Sequence, residues 1–146
     1  QITKANIRII DLESQVRKEV NHKEVLQAYI DSIPAPAWIK RLNSDNVFEM
    51  YLINKSYSKM YGISKMQYEG KTDFELWDYD VASQWQIHDK HVYFTGGFLR
   101  VTEMVPVGGV KAVGGNIETK DVEVWKFTVG LPEGEQGVGG LVVTKP

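Results

Sequence analysis

The reactive side chains in this 146-residue chain are few: three histidines, 19 carboxylates and no cysteine. Without a thiol there can be no disulfide, thiolate nucleophile, Cys-ligated zinc or iron–sulfur cluster. His88 and His91 stand three residues apart, but the acidic partner and the spacing of a zinc protease are missing. Asp73 with Glu75, and Asp78 with Asp80, could be read as acid–base pairs. All four fall where helices should begin, and free N–H groups there favour negative charge without any catalytic task. No serine sits in a G-x-S-x-G context. The pairs Gly108-Gly109, Gly114-Gly115 and Gly139-Gly140 complete neither G-x-G-x-x-G nor a P-loop. The expectation is a protein that is not an enzyme. A small isomerase-like enzyme with a cone-shaped sheet would need a buried carboxylate or histidine, and His88 is its one clear candidate.

The elements that would position these groups can be read from spacing. From Gln1 to about Ser32 there is no Gly or Pro, and Ile2, Ala5, Ile9, Leu12 and Val16 occupy a and d positions of a heptad. The register then meets Glu19 and Lys23, where the seam weakens. One helix or two should end before Pro34. The stripe suits a dimerising helix, residues 1–25, or a helix packed on its own domain, residues 26–146. Two heptads leave both open. Ala37–Leu42 and Val47–Ile53 read as a hairpin across the turn cluster Asn43-Ser44-Asp45-Asn46. Asn54 can cap a short helix, Lys55–Tyr61, that ends on Gly62. Thr72 with Glu75 forms a capping box. A longer helix should start at Asp78 or Asp80 and stop at Gly96-Gly97, with Val81, Trp85, His88 and Val92 on one face. Phe98–Val107, Asp121–Leu131 and Gly139–Thr144 read as strands, separated by the glycine-rich Gly108–Lys120 and the turn Pro132–Gly137. Strands at both ends with helices between predict an α+β fold, one antiparallel sheet covered on one face by helices. If the other face is apolar, the N-terminal helix or a second copy must cover it.

With 17 basic and 19 acidic residues the net charge is −2, so no global basic field exists to attract nucleic acid. No apolar run approaches the ~18 residues of a membrane span, and no signal peptide opens the chain. The expected location is cytoplasmic, with no membrane contact by this segment. The chain begins with Gln1 rather than Met and reads as an excised piece.

The order of these elements, and several short motifs in sequence, resemble the PAS domain family. Asp31-Ser32-Ile33-Pro34 with Ala37-Trp38-Ile39-Lys40 resembles its lead-in segment and first strand. Asn54 and Tyr61-Gly62 are similar to its capped helix, and Gly70-Lys71-Thr72-Asp73 to its GKTD turn. Asp89, Val92, Thr95 and Gly96 resemble the end of its long helix. Glu103 falls in the following strand where many members carry Glu, and Trp125-Lys126, Pro132, Gly137 and Gly140 resemble its last hairpin. Gly108–Lys120 departs from the pattern in length and glycine content. The resemblance spans about Leu26–Thr144 and implies a five-stranded antiparallel sheet with short helices around a small pocket. Members sense ligands, redox state or light, or serve as dimerisation modules beside kinases, cyclases and transcription factors.

The resemblance turns attention to a pocket. Chromophores held through cysteine are excluded, because the thiol is missing. His88 could ligate haem iron, but it lies a turn nearer Gly96 than the resemblance implies, and Trp85 occupies the preceding turn. The reading adopted for His88 is a core or rim residue bonded to a neighbour, and for His91 a solvated one. Flavin would need an amide, and Asn54, Gln84 and Gln86 are the candidates; Asn54 is better explained as a cap. No cofactor is expected. Trp38, Met50, Leu52, Tyr61, Trp85, His88, Met104 and Trp125 are candidates for the wall of a ligand pocket. The same side chains could pack that space shut. The function expected is a sensory module that forms a homodimer and relays binding of a ligand or partner to an attached output domain of a two-component or similar signalling protein. The alternative is a module whose ligand pocket is the point.

Overall fold

Thr3 ends an extended residue by accepting a hydrogen bond from the Asn6 N–H, and that cap opens helix α1, Lys4–Asp31. The computed structural model describes residues 3–107 and 118–143. Ile2, most of the Gly108–Lys120 stretch and Thr144 lie outside the described residues. After α1 come β1 (Ala37–Leu42), β2 (Phe48–Ile53), α2 (Lys55–Tyr61), α3 (Lys65–Tyr68), α4 (Asp73–Leu76), α5 (Tyr79–Thr95), β3 (Phe98–Pro106), β4 (Thr119–Gly130), a 3-10 turn (Pro132–Gly134) and β5 (Gln136–Val143). The strands form one sheet in the order β2-β1-β5-β4-β3, antiparallel throughout. The fold is α+β, as the order of elements predicts.

Local chemistry sets the boundaries. Asn54 caps α2, and Gly62 ends it in the left-handed region at φ 63°. Thr72 and Glu75 bond each other's backbone N–H groups at the start of α4. Gly96, at φ 66°, ends α5.

Helix α5 lies across one face of the sheet and is clipped to both of its edges. The Gln86 amide accepts from the Phe48 N–H (3.0 Å) and donates to the Phe48 carbonyl (3.2 Å) on β2. The Gln84 amide does the same for Met104 on β3, at 2.9 and 3.2 Å. Edge strands present unpaired backbone groups, and these two amides satisfy one residue on each edge.

The main core lies between the sheet and the helices α2, α4 and α5. It gathers Trp38, Met50, Tyr57, Tyr61, Trp77 and Trp85 with inward valines. The second cluster is on the opposite face, where Ile30 of α1 packs with Ala37, Ile39, Leu52 and Leu131. α1 therefore covers part of the sheet's outer face.

Glycine at position 140 is required by close approach. A Cβ there would stand 2.4 Å from Trp38 Cζ2 and 2.6 Å from Cε2. Trp38 is itself buried and leans on Tyr57, with ring centroids 5.7 Å apart. Gly140→Ala is expected to cost about 1–3 kcal/mol of unfolding free energy, the usual range for overpacking. Urea denaturation with Trp fluorescence measures it; an unchanged midpoint would mean the indole has room to move.

Candidate functional site

Alternation in a strand sends neighbouring residues to opposite faces, and on β1 and β4 it sends two lysines inward. Lys40 follows Trp38 by two positions, and Lys126 follows Val124 by two. Lys40, Lys126, Asp73, Asp89 and Glu103 are each at most 2% exposed. Buried charges need partners, and here they form one continuous chain. Asp73 Oδ2 accepts from Lys40 Nζ at 2.7 Å, and Lys40 Nζ also donates to Asp89 Oδ2 at 2.7 Å. Lys126 Nζ donates to Asp89 Oδ1 at 2.8 Å and lies 2.7 Å from Glu103 Oε2. Glu103 Oε2 is in turn 2.6 Å from His88 Nδ1. The chain runs from α4 through β1, α5 and β4 to β3, and His88 brings it to the surface.

The two aspartates respond differently, and their partners explain why. Burial disfavours both carboxylates. Asp89 has an ammonium on each oxygen, and Lys126 with Lys40 outweighs burial, so its pKa falls below the usual range. Asp73 has one ammonium and the Gln86 amide, which donates to Oδ2 at 3.0 Å, while Oδ1 has no partner among the described residues. Burial prevails there over Lys40, Asp89 adds repulsion, and the Asp73 pKa rises. For Lys40, burial works against the charge, but attraction and hydrogen bonding from Asp73 and Asp89 win and raise its pKa.

Beside the chain the aromatic residues nearly fill the interior. Tyr61 is 4.4 Å from Tyr57, 5.5 Å from Trp77 and 6.3 Å from Trp85 between ring centroids. The enclosed space left among Trp38, Tyr57, Tyr61, Trp85, Lys40 and Glu103 is about 10 Å³. That is about one water's worth of room, far below the ~300 Å³ at which small-molecule pockets begin. A haem or flavin would have to displace these rings. A wider hollow of about 610 Å³ opens beside Arg100, Lys120 and Glu123, away from the interior chain.

The eight residues expected to wall a pocket do not all converge. Trp38, Met50, Tyr61 and Trp85 meet in the main core, and Met104 packs on its border. His88 sits at the rim with its side chain 24% exposed, bonded to Glu103. Leu52 lies on the opposite face. The register moves from Ile39↔Leu52 to Lys40↔Met50, so β2 carries a bulge at Tyr51 that turns Leu52 outward. Trp125 also faces out, against Phe98 at 5.9 Å and under Arg100 at 5.1 Å. His91 is exposed. The amides of Gln84 and Gln86 are taken by strand edges. Asn54 serves as the cap and more, bonding Ala37, Ile30 and Ala35.

Sequence reasoning did not assemble the ion chain, although its signals were present. Lys40 and Lys126 have the parity of Trp38 and Val124. Asp89 shares a helical face with Trp85 and Val92, at i+4 and i−3. A charge at an apolar-face position was the available sign.

A five-stranded antiparallel sheet in this order, with helices packed on one face and an amino-terminal helix on the other, defines the PAS class of fold. No family model matches the chain, and no curated protein matches it. Solved structures do. The LOV protein of Rhodobacter sphaeroides superposes with a TM-score of 0.61 at 18% identity, covering 87% of this chain and 66% of that one. The PAS domain of BvgS from Bordetella pertussis gives 0.52 at 18% identity, over 84% of this chain and 83% of that one. The Vibrio cholerae VqmA dimer gives 0.59 at 21% identity, over 82% and 51%. The chain thus spans just under two thirds of the LOV protein and about half of VqmA. What these structures share with the present chain is the fold. No described helix is long and apolar enough to cross a membrane.

Proposed function

We propose that this chain is a sensory and dimerisation module, which pairs with a second copy through α1 and passes changes in core packing to an attached output domain. The observation that carries the reading is a single heptad stripe on α1 with two fates. At its carboxyl end the stripe is docked: Leu26 and Ile30 pack on the outer face of the sheet. Lys23 Nζ lies 4.7 Å above the Tyr51 ring, and Gln27 donates to the Ile53 carbonyl at 2.9 Å. Towards the amino end the same stripe carries Ala5, Ile9, Leu12 and Val16 away from the domain. Ile9 is 54% exposed, Leu12 53% and Val16 58%. Residues 4–20 span about 25 Å at 1.5 Å per residue. An exposed apolar seam of that length needs a partner, and a second α1 supplies a matching one.

The relay follows from the shared stripe. A change in how the sheet sits under Leu26 and Ile30 rotates or shifts the seam four turns further on, so two core arrangements favour two seam arrangements. VqmA, one of the proteins of similar fold, is a dimer. The module does no chemistry of its own in this reading. A reading centred on an internal ligand has the filled interior against it.

The test is Ile9→Glu with Leu12→Glu in the full chain. Light scattering should report a dimer for the parent and half that mass for the variant, with unchanged circular dichroism in the β region. A variant that keeps the parent's mass would remove α1 as the interface.

A further inference from the structure

We infer that the interior ion chain is a binding site for one proton, so that acidity is a signal this domain can read. The argument begins with a count. Three carboxylates, Asp73, Asp89 and Glu103, face two ammonium groups, Lys40 and Lys126, and all five are at most 2% exposed. Among the described residues the buried chain is one negative charge in excess. An uncompensated charge at such depth is costly, and one bound proton removes it.

Each end of the chain offers the proton a place. At the inner end, Asp73 Oδ1 is buried and has no hydrogen-bond partner among the described residues. Both donors to Asp73, Lys40 and Gln86, use the other oxygen, so protonating Oδ1 breaks nothing. The raised pKa of Asp73, set first by burial, runs in the same direction. At the outer end, Glu103 Oε2 has His88 Nδ1 at 2.6 Å as its partner beside Lys126. His88 is the member that water reaches.

The remaining groups around the chain leave the count unchanged. Tyr57 and Tyr61 of α2 border the same space, and burial keeps both as neutral phenols. β5 contributes no charged side chain. Glu49 of β2 is occupied by Arg41, 2.7 Å away.

The sign of the linkage follows. A group whose pKa is raised by folding adds stability that is complete below its unfolded value and is lost as pH rises through its folded value. For Asp73 the loss begins above about pH 4. Asp89, with a lowered pKa, acts in the opposite sense and only in stronger acid. Proton release from Asp73, at the start of α4, would therefore lower the stability of the fold as pH rises. Lys40, which joins Asp73 to Asp89, is next to Ile39, whose side chain lies beneath α1. Only this last step, from proton to α1, rests on the function proposed above.

The experiment is urea unfolding of the full chain between about pH 4 and about pH 8, with Asp73→Asn and His88→Gln alongside. The parent's folding equilibrium constant should fall with pH, approaching tenfold per unit where one proton is released. The slope should vanish in whichever variant removes the proton's place, and Asp73→Asn should gain on the parent at the alkaline end. A flat parent profile, or a slope that survives in both variants, overturns the inference. The parent's profile decides the matter even if a variant does not fold. Light scattering at both ends of the range reports the dimer separately, so failure of the proton site and failure of the interface are distinguishable.

Discussion

Lys126→Met is expected to cost about 3–5 kcal/mol, the penalty for removing one partner from a buried ion pair. That is a large part of the roughly 5–15 kcal/mol that holds a domain of this kind together. Lys126 Nζ is the only cation within reach of both Asp89 Oδ1 and Glu103 Oε2 among the described residues. Its loss leaves Asp89 with Lys40 alone and Glu103 with His88 alone. Methionine fills the same volume, so the effect isolates charge from packing. The companion variant is Lys126→Met with Glu103→Leu. It removes one charge of each sign and returns the interior to the parent's count. If electrostatic imbalance is the cause, the double variant should recover most of the loss. Two additive losses in urea denaturation would instead assign the effect to packing.

Local punctuation brackets β1 and α2 to the residue in the sequence: Pro36 and Asn43 for the strand, Asn54 and Gly62 for the helix. β5 begins at Gln136, three residues before the expected Gly139. Gly137 falls in the expected turn, and Gly139 and Gly140 open the expected strand. In the sheet they are the places where Trp38, Phe127 and the Lys40 carbonyl come too close for a Cβ. That reason lies in other strands and cannot be seen locally. The bulge at Tyr51 belongs to the same kind. Strict alternation pairs Met50 with Leu52, and one extra residue sends Leu52 to the far face.

The ion chain was illegible for a different reason. Its links join residues 33, 49 and 37 positions apart. Parity marks Lys40 and Lys126 as inward, but only the strand order β1-β5-β4 brings both to Asp89. Glycine-rich β5 lies between the two lysines and carries no bulky side chain at Gly140 to separate them. Large side chains fill an interior as readily as they wall a pocket, and Trp38, Tyr61 and Trp85 do the former. The residues that make this interior unusual are its charges, which a search for apolar cavities passes over.

Asn54→Ala is expected to cost at least about 3 kcal/mol, because it would strand several buried backbone groups at about 1–3 kcal/mol each. Asn54 is 2% exposed. Its Oδ1 accepts from the N–H groups of Ala37 and Tyr57, both at 2.9 Å. Its Nδ2 donates to the carbonyls of Ile30 and Ala35 at 2.8 Å, with Ile33 at 3.3 Å. One amide thus fastens the last turn of α1 to the first residue of β1 and the start of α2. Asn54→Asp separates the two halves of that task. It keeps the acceptor for Ala37 and Tyr57 but turns an oxygen towards the carbonyls. At neutral pH it should be no more stable than Asn54→Ala, since a buried carboxylate facing acceptors is disfavoured. Mild acid should restore part of its stability and none of alanine's, because the protonated carboxyl can donate once. Equal behaviour of the two variants across pH would mean the donor half is dispensable. In that event α1 would be held by Leu26 and Ile30 together with Lys23 and Gln27, and motion of the sheet would reach the exposed seam without the Asn54 hinge.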